Sequence, residues 1–191
     1  FNTDRKYMLY QLLRLIDDIP GDTVECGSLE GAGSYLIHLM NDQSPQHERW
    51  HHVFDSFEGL SAPGEGDGKH WEQGDLSVSM GQVRKNMDNF DRYTLYQGWI
   101  PSRFAEVQDK RIAFVHIDVD LYQPTRDAIE FFYPKMSEGG VILCDDYGSS
   151  LCPGATRAID EYLADKTETL LYMTCGSGFL IKGRQTALPL A

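Results

Sequence analysis

Apolar residues recur along this chain in two alternating rhythms. Over Tyr7 to Asp18, Leu9, Leu12, Leu13, Leu15 and Ile16 fall at helical spacing, and Pro20-Gly21 closes the stripe. Thr23-Val24-Glu25-Cys26 then predicts a short strand stopped by Gly27, and Ser34 to Met40 a second helix. His52-Val53-Phe54-Asp55 predicts a second strand with an acid at its end. From Gly59 to Gly74 the chain is dense in Gly, Pro and charge, which predicts a long exposed loop of the kind used as a lid or binding segment. A helix is expected over Val83 to Phe90 and a third strand over Tyr93 to Gln97. Arg111 to Asp118 is the clearest strand: Ile112, Ala113, Phe114, Val115 and Ile117 form a nearly continuous apolar run, suited to a central position covered on both faces. A helix over Thr125 to Phe132, a strand over Gly140 to Cys144 and a helix over Ala155 to Leu163 follow. Leu170 to Thr174 and Phe179 to Lys182 read as two strands joined by the hairpin-like Cys175-Gly176-Ser177-Gly178.

Strand and helix alternate, so the expected fold is α/β and doubly wound: a mostly parallel sheet with helices on both faces. The length of 191 residues predicts one domain over the whole chain, 1–191. No apolar run is long enough for a membrane span, and Phe1 to Lys6 lacks a basic-then-apolar leader pattern, so a cytoplasmic protein is expected. The formal charge of −12 argues against nucleic-acid backbone as a partner, because phosphate contacts need Lys and Arg in excess. Cys26 and Cys144 lie within apolar strands and Cys152 and Cys175 in no metal-ligand spacing, which predicts free thiols rather than a zinc site or disulfides.

Chemistry concentrates at strand ends. Glu25-Cys26-Gly27-Ser28-Leu29-Glu30-Gly31-Ala32-Gly33-Ser34 leaves the first strand and opens a helix, and glycines there allow unusual torsions and close approach of a ligand. The dinucleotide pattern G-x-G-x-x-G fails, because Leu36 stands at the third glycine position. The spacing of Glu25, Gly27 and Gly31 resembles instead the first motif of S-adenosylmethionine-dependent methyltransferases. A turn with acidic flanks suits a ligand carrying a sulfonium and an ammonium group better than one carrying a pyrophosphate. Asp55 is placed to accept hydrogen bonds from ribose hydroxyls.

Two acidic doublets close the fourth and fifth strands: Asp118-Val119-Asp120 and Asp145-Asp146. If those strands are neighbours, about 4.8 Å apart, their carboxylates can meet one ion. Asp118 and Asp120 share a side if the chain stays extended there; Asp145 and Asp146 converge only if it turns after Cys144, for which Tyr147-Gly148-Ser149-Ser150 supplies the residues. Crowded carboxylates repel unless cations or protons intervene, and oxygen-only ligation favours Mg²⁺ or Ca²⁺ over zinc. His116, inside the apolar strand, is expected to be a packed, hydrogen-bonded histidine rather than a ligand. Trp71, Tyr122 and Tyr147 are candidate walls of an acceptor pocket.

Phe114 to Tyr122, Asp145-Asp146-Tyr147 and Phe54-Asp55-Ser56-Phe57-Glu58-Gly59 together resemble the macrocin O-methyltransferase family. Val24-Glu25-Cys26-Gly27, Gly98-Trp99-Ile100-Pro101 and Pro153-Gly154-Ala155 fit its pattern in order, from Tyr7 to Lys182. The resemblance implies a seven-stranded sheet of the class I methyltransferase type with an antiparallel last strand. It implies Mg²⁺ held by Asp118, Asp145 and Asp146, with Asp120 as general base. Glu25, Gly27, Gly31, Asp55 and Ser56 match positions that bind S-adenosylmethionine. The implied partner is a small-molecule hydroxyl acceptor, a sugar or natural product; a homo-oligomer is compatible with the sequence. Two departures stand out. Ser28-Leu29-Glu30 replaces the bulky and basic residues usual before Gly31, and the segment before the first strand is shorter than the family's site-covering region, which puts closure of the site in question. The rival functions are a metal-dependent glycosyltransferase and a non-catalytic ligand-binding domain on the same scaffold.

Overall fold

The computed structural model describes residues 3–46 and 48–185. Helix α1 (Thr3–Arg14) leads into β1 (Asp22–Cys26), α2 (Ala32–Gln43) and β2 (His51–Asp55). After the long loop come α3 (Met80–Asn86), β3 (Tyr93–Gln97), β4 (Ile112–Ile117), α4 (Tyr122–Phe132) and β5 (Met136–Cys144). Helix α5 (Pro153–Leu163) and the pair β6 (Leu171–Met173) and β7 (Ser177–Ile181) complete the fold.

The seven strands form one sheet in the order β3-β2-β1-β4-β5-β7-β6. β1 pairs in parallel with β2 and β4, β2 with β3, and β4 with β5. β7 runs antiparallel to both β5 and β6, so it alone opposes the rest. This is the doubly wound sheet with one reversed strand that the sequence implies. The order reverses between β1 and β4, and that switch point opens a crevice at the carboxyl edge of the strands.

Alternation along β4 divides the interior. Val115 and Ile117 pack with Val24, Phe54, Ile142 and Cys144 against α4 and α5, through Ala128, Ile129, Phe132 and Ile159. Phe114 turns to the other face, where Leu9, Leu12, Leu13 and Ile16 meet Ile37, Val141 and Leu143. The six residues of β4 are all buried, as expected of a strand covered on both sides.

Some boundaries move. α1 begins at Thr3 and ends at Arg14, so Leu15 leaves the stripe and is half exposed. β5 starts four residues before Gly140, passing through Gly139 in the left-handed region (φ +82°). The loop over 59–74 has no regular structure but is tied down. Leu60 N–H donates to Asp75 O and Gly74 N–H to Leu60 O, which closes its base. Asp67, buried within it, accepts from Gly64 N–H and from Tyr122 N–H at the start of α4, both at 2.7 Å. Among the described residues no helix is long and apolar enough to cross a membrane. All four cysteines are free, with Cys26, Cys144 and Cys152 buried.

Candidate active site

A cavity of about 580 Å³ opens at the carboxyl edge, where β1, β2, β4 and β5 end. Gly27, Ser28, Asp55 and Ser56 form one side and Asp118, Asp120, Asp145 and Asp146 the other. β4 and β5 are neighbours in register, with Ile117 paired to Cys144, so the two acidic doublets do meet. Backbone bonds extend the edge: Asp118 N–H donates to Cys26 O and Asp145 N–H to Ile117 O, each at 2.9 Å.

The glycine turn is shaped by the sheet as much as by any ligand. Gly27 lies at φ +83°, and a Cβ there would stand 1.9 Å from the carbonyl oxygen of Asp118. Gly31, at the same φ, precedes the first residue of α2 and accepts from Tyr35 N–H. Asp55 secures the turn: one oxygen accepts from Ser28 N–H and the Ser28 hydroxyl, at 2.7 and 2.8 Å, and the other from Phe57 N–H at 2.8 Å. That leaves one acceptor position on the second oxygen. The Ser56 hydroxyl donates to Gly59 O and accepts from Glu58 N–H, holding the following loop.

Glu25 and Gly31 do not line the cavity. The Glu25 carboxylate is buried behind the turn, where it accepts from the Ser34 hydroxyl and faces His116 Nδ1 at 3.0 Å. His116 is packed and hydrogen-bonded through Nδ1, as expected; its Nε2 is buried without a hydrogen-bond partner.

The acids fall into two groups. Asp118 and Asp145 lie with His116, and Asp120 and Asp146 with Cys152; within each group ligand atoms sit within 4.8 Å of one another. The condition that Asp118 and Asp120 share a side through an extended chain is not met. Asp120 is left-handed (φ +60°), and Leu121 N–H turns back to Val119 O at 2.6 Å. The expected turn after Cys144 does form, with Ser149 N–H donating to Asp146 O. Asp146 joins the two strand ends by accepting from Asp120 N–H at 2.9 Å.

These carboxylates are electrostatically unequal. Burial, then Asp145 and Asp146, raises Asp118 well above the usual carboxylate range. Burial, then Asp120 and Asp145, lifts Asp146 to about 7. Asp145 goes the other way: against the effect of burial, His116 and Arg5 hold it at about 2. Burial also raises Asp120, opposed by the Cys152 thiol that donates to it at 3.4 Å. Buried acids that cannot all ionise side by side, offering hard oxygen donors at an open edge, are the donor set a divalent cation relieves.

Sequence reasoning missed Arg5. It projects from α1 into the cavity wall, pairs with Asp145 at 2.6 Å, and donates to the carbonyls of Cys175 and Gly176. Its signal was legible: Arg5 extends the Leu9, Leu12, Ile16 stripe by one turn towards the N-terminus. Of the proposed aromatic walls only Trp71 lines the cavity, with its indole N–H on Cys152 Sγ. Tyr122 and Tyr147 face α5, donating their hydroxyls to Glu161 and Asp160. Trp99, after β3, supplies the second aromatic wall.

With that geometry in place, residues 9–170 match the macrocin-O-methyltransferase (TylF) family. The chain belongs to this family. It is 33% identical over 159 residues to the demethyldecarbamoylnovobiocin O-methyltransferase of Streptomyces niveus, covering 78% of this chain and 60% of that protein. The 8-demethyl-8-(2,3-dimethoxy-alpha-L-rhamnosyl)-tetracenomycin-C 4'-O-methyltransferase of Streptomyces olivaceus is 32% identical over 154 residues, 75% of this chain and 59% of its own length. The chain thus spans about three fifths of the length of these relatives. Among solved structures, the O-methyltransferase NovP superposes with a TM-score of 0.77 at 29% identity, covering 94% of this chain and 80% of its own. CalS11, a calicheamicin methyltransferase, reaches 0.84 at 22% identity, covering 95% and 79%, a likeness of fold.

Proposed function

We propose that this chain transfers a methyl group from S-adenosylmethionine to a sugar hydroxyl on a small natural-product acceptor. The observation that carries the reading is that one cavity joins the Gly27 turn to both acidic strand ends. Among the described residues its lining holds five carboxylates, Asp55, Asp118, Asp120, Asp145 and Asp146, and one guanidinium, already engaged by Asp145. Such a wall attracts a donor bearing sulfonium and ammonium charges and repels a nucleotide-sugar diphosphate, which favours methyl over glycosyl transfer. The relatives named for O-methyl transfer agree with it.

Asp55 would take a ribose hydroxyl on its remaining acceptor position, and Gly27, Ser28 and Ser56 would line the donor's path. Asp118, Asp145 and Asp146 would hold Mg²⁺. A cation held there would supply a positive charge that lowers the pKa of an acceptor hydroxyl at this edge. Asp120 then removes the hydroxyl proton; burial makes its carboxylate a stronger base than an exposed one. The donor, when bound, would supply an electrophilic methyl group with the sulfur as leaving group, and Trp71 and Trp99, which line the cavity, would hold the acceptor hydroxyl towards it.

The test is methyl transfer from the labelled donor to a panel of glycosides, with and without Mg²⁺. Asp120→Asn should keep donor affinity and lose turnover by roughly a hundredfold or more; unchanged turnover would contradict the base assignment. Asp145→Ala should remove the stimulation by Mg²⁺, and full stimulation in that variant would contradict ligation there.

A further inference from the structure

We propose that Cys152 is a positioning residue for the methyl transfer. Its thiol is the middle of a hydrogen-bonded strut, from Trp71 through Cys152 to Asp120, that fixes the direction of the base relative to the wall receiving the acceptor. The proposal rests on the reading of Asp120 as the base and deepens it.

Cys152 precedes Pro153, the first residue of α5, and so stands at the N-cap. Ser, Thr, Asp and Asn are preferred there because their side chains accept from the helix's free N–H groups. The Cys152 side chain makes no such bond. Its backbone is fastened instead: the carbonyl accepts from Ala155 N–H at 3.1 Å and the N–H donates to Ser149 O at 3.2 Å. The residue is buried, and its side chain is spent on the cavity wall.

Two contacts define what the thiol does there. The Trp71 indole N–H reaches Cys152 Sγ at 3.4 Å, and an indole nitrogen can only donate. Sulfur is therefore the acceptor on that side, and its single S–H is left for Asp120 Oδ1, also at 3.4 Å. Asp120 needs such a tie. Its backbone lies in the left-handed region (φ +60°), a strained state for a non-glycine residue that persists only where its surroundings enforce it. Asp146 holds the backbone end by accepting from Asp120 N–H at 2.9 Å. Cys152 holds the carboxyl end through Oδ1, which leaves Oδ2 for an acceptor hydroxyl. The far end of the strut, Trp71, belongs to the loop over 59–74 and lines the same cavity. A base must meet its hydroxyl within hydrogen-bond reach, and a misplacement of about 1 Å can cost about a hundredfold in rate. Tying the base to the wall keeps the two at one spacing.

The infrared S–H stretch of Cys152, isolated as wild type minus Cys152→Ala, reads the strut with neither donor nor acceptor present. A hydrogen-bonded thiol absorbs at lower frequency than a free one. The band should lie low in the wild type and rise in Asp120→Ala. A band already at the free-thiol position, or one that Asp120→Ala leaves in place, overturns the proposal. Turnover is then measured on a glycoside that the panel above shows to be methylated. Cys152→Ala should lower kcat by roughly tenfold or more and leave both donor affinity and the KM for the acceptor unchanged, a split that general loosening of the fold does not give. Trp71→Phe keeps a ring in the wall and loses the N–H; it should lower kcat less, and add nothing in the Cys152→Ala background. Full kcat in Cys152→Ala, or independent losses that multiply in the double variant, overturns the strut. Unchanged turnover in Asp120→Asn removes the base assignment and the proposal with it, whereas turnover lost in Asp120→Asn and kept in Cys152→Ala removes the proposal alone. If no glycoside of the panel is methylated, crystal structures of wild type and Cys152→Ala decide: the Asp120 carboxylate should rotate in the variant, and an unmoved carboxylate overturns the proposal.

Discussion

Single residues at the strand ends do two jobs at once, and Gly27 is the sharpest case. Its positive φ and the Asp118 carbonyl beside it leave no room for a side chain. Gly27→Ala should therefore cost about 1–3 kcal/mol from the torsion alone, with more from displacing Asp118. A thermal melt would show a lowered midpoint and a titration a weakened cation site; an unchanged midpoint would contradict this account. The sequence made Gly27, Asp55 and the two acidic doublets visible because each interrupts an apolar run at a strand end. It could not reveal that Glu25 faces inwards. An acid preceding a glycine looks the same whether it greets a ligand or a buried histidine, and His116 lies 91 residues away. Nor could it foresee the left-handed Asp120, because strand alternation is a sound guide only while the backbone stays extended.

At the scale of elements, the loop over 59–74 behaves as a fastened wall of the cavity. Asp67 is its pin, joining Gly64 to the first residue of α4, and Gly154 at the start of α5 packs against the same carboxylate. Asp67→Ala should cost about 1–2 kcal/mol and speed amide exchange over 62–74; unchanged exchange would show that the loop is held elsewhere. Composition marked this segment as loop, but nothing in a run of Gly, Pro and charge distinguishes a fastened loop from a free one. A second fastening closes the far edge of the sheet. Against the effect of burial, the Tyr133 hydroxyl and the Gly183 N–H hold the Glu168 carboxyl at about 2. A carboxylate depressed on folding lends stability above its unfolded value of about 4.5 and loses it as pH falls towards 2. Wild-type stability should thus decline through that window, and Glu168→Gln should flatten the decline; parallel curves for the two proteins would contradict the assignment. The helices and strands themselves were legible to within a few residues, since their stripes are set by burial. Arg5 was overlooked because a cation at the end of an apolar stripe reads as the start of solvent.

For the whole molecule, the order β3-β2-β1-β4-β5-β7-β6 explains why acids separated by 90 residues face one space. Parallel strands on either side of the switch point end on the same edge, so Asp55, Asp118 and Asp145 need only close their own strands to become neighbours. Alternating periodicity predicted the doubly wound class, and the resemblance of motifs supplied the reversed last strand. The cavity's excess of carboxylate over cation then distinguishes the ligands it can take. The most direct test of that claim is calorimetric titration of S-adenosylmethionine into the protein, with and without Mg²⁺, beside a nucleotide-diphosphate sugar. The account predicts one S-adenosylmethionine per chain, weakened in Asp55→Ala, and no binding of the sugar nucleotide. Binding of the sugar nucleotide alone would contradict it.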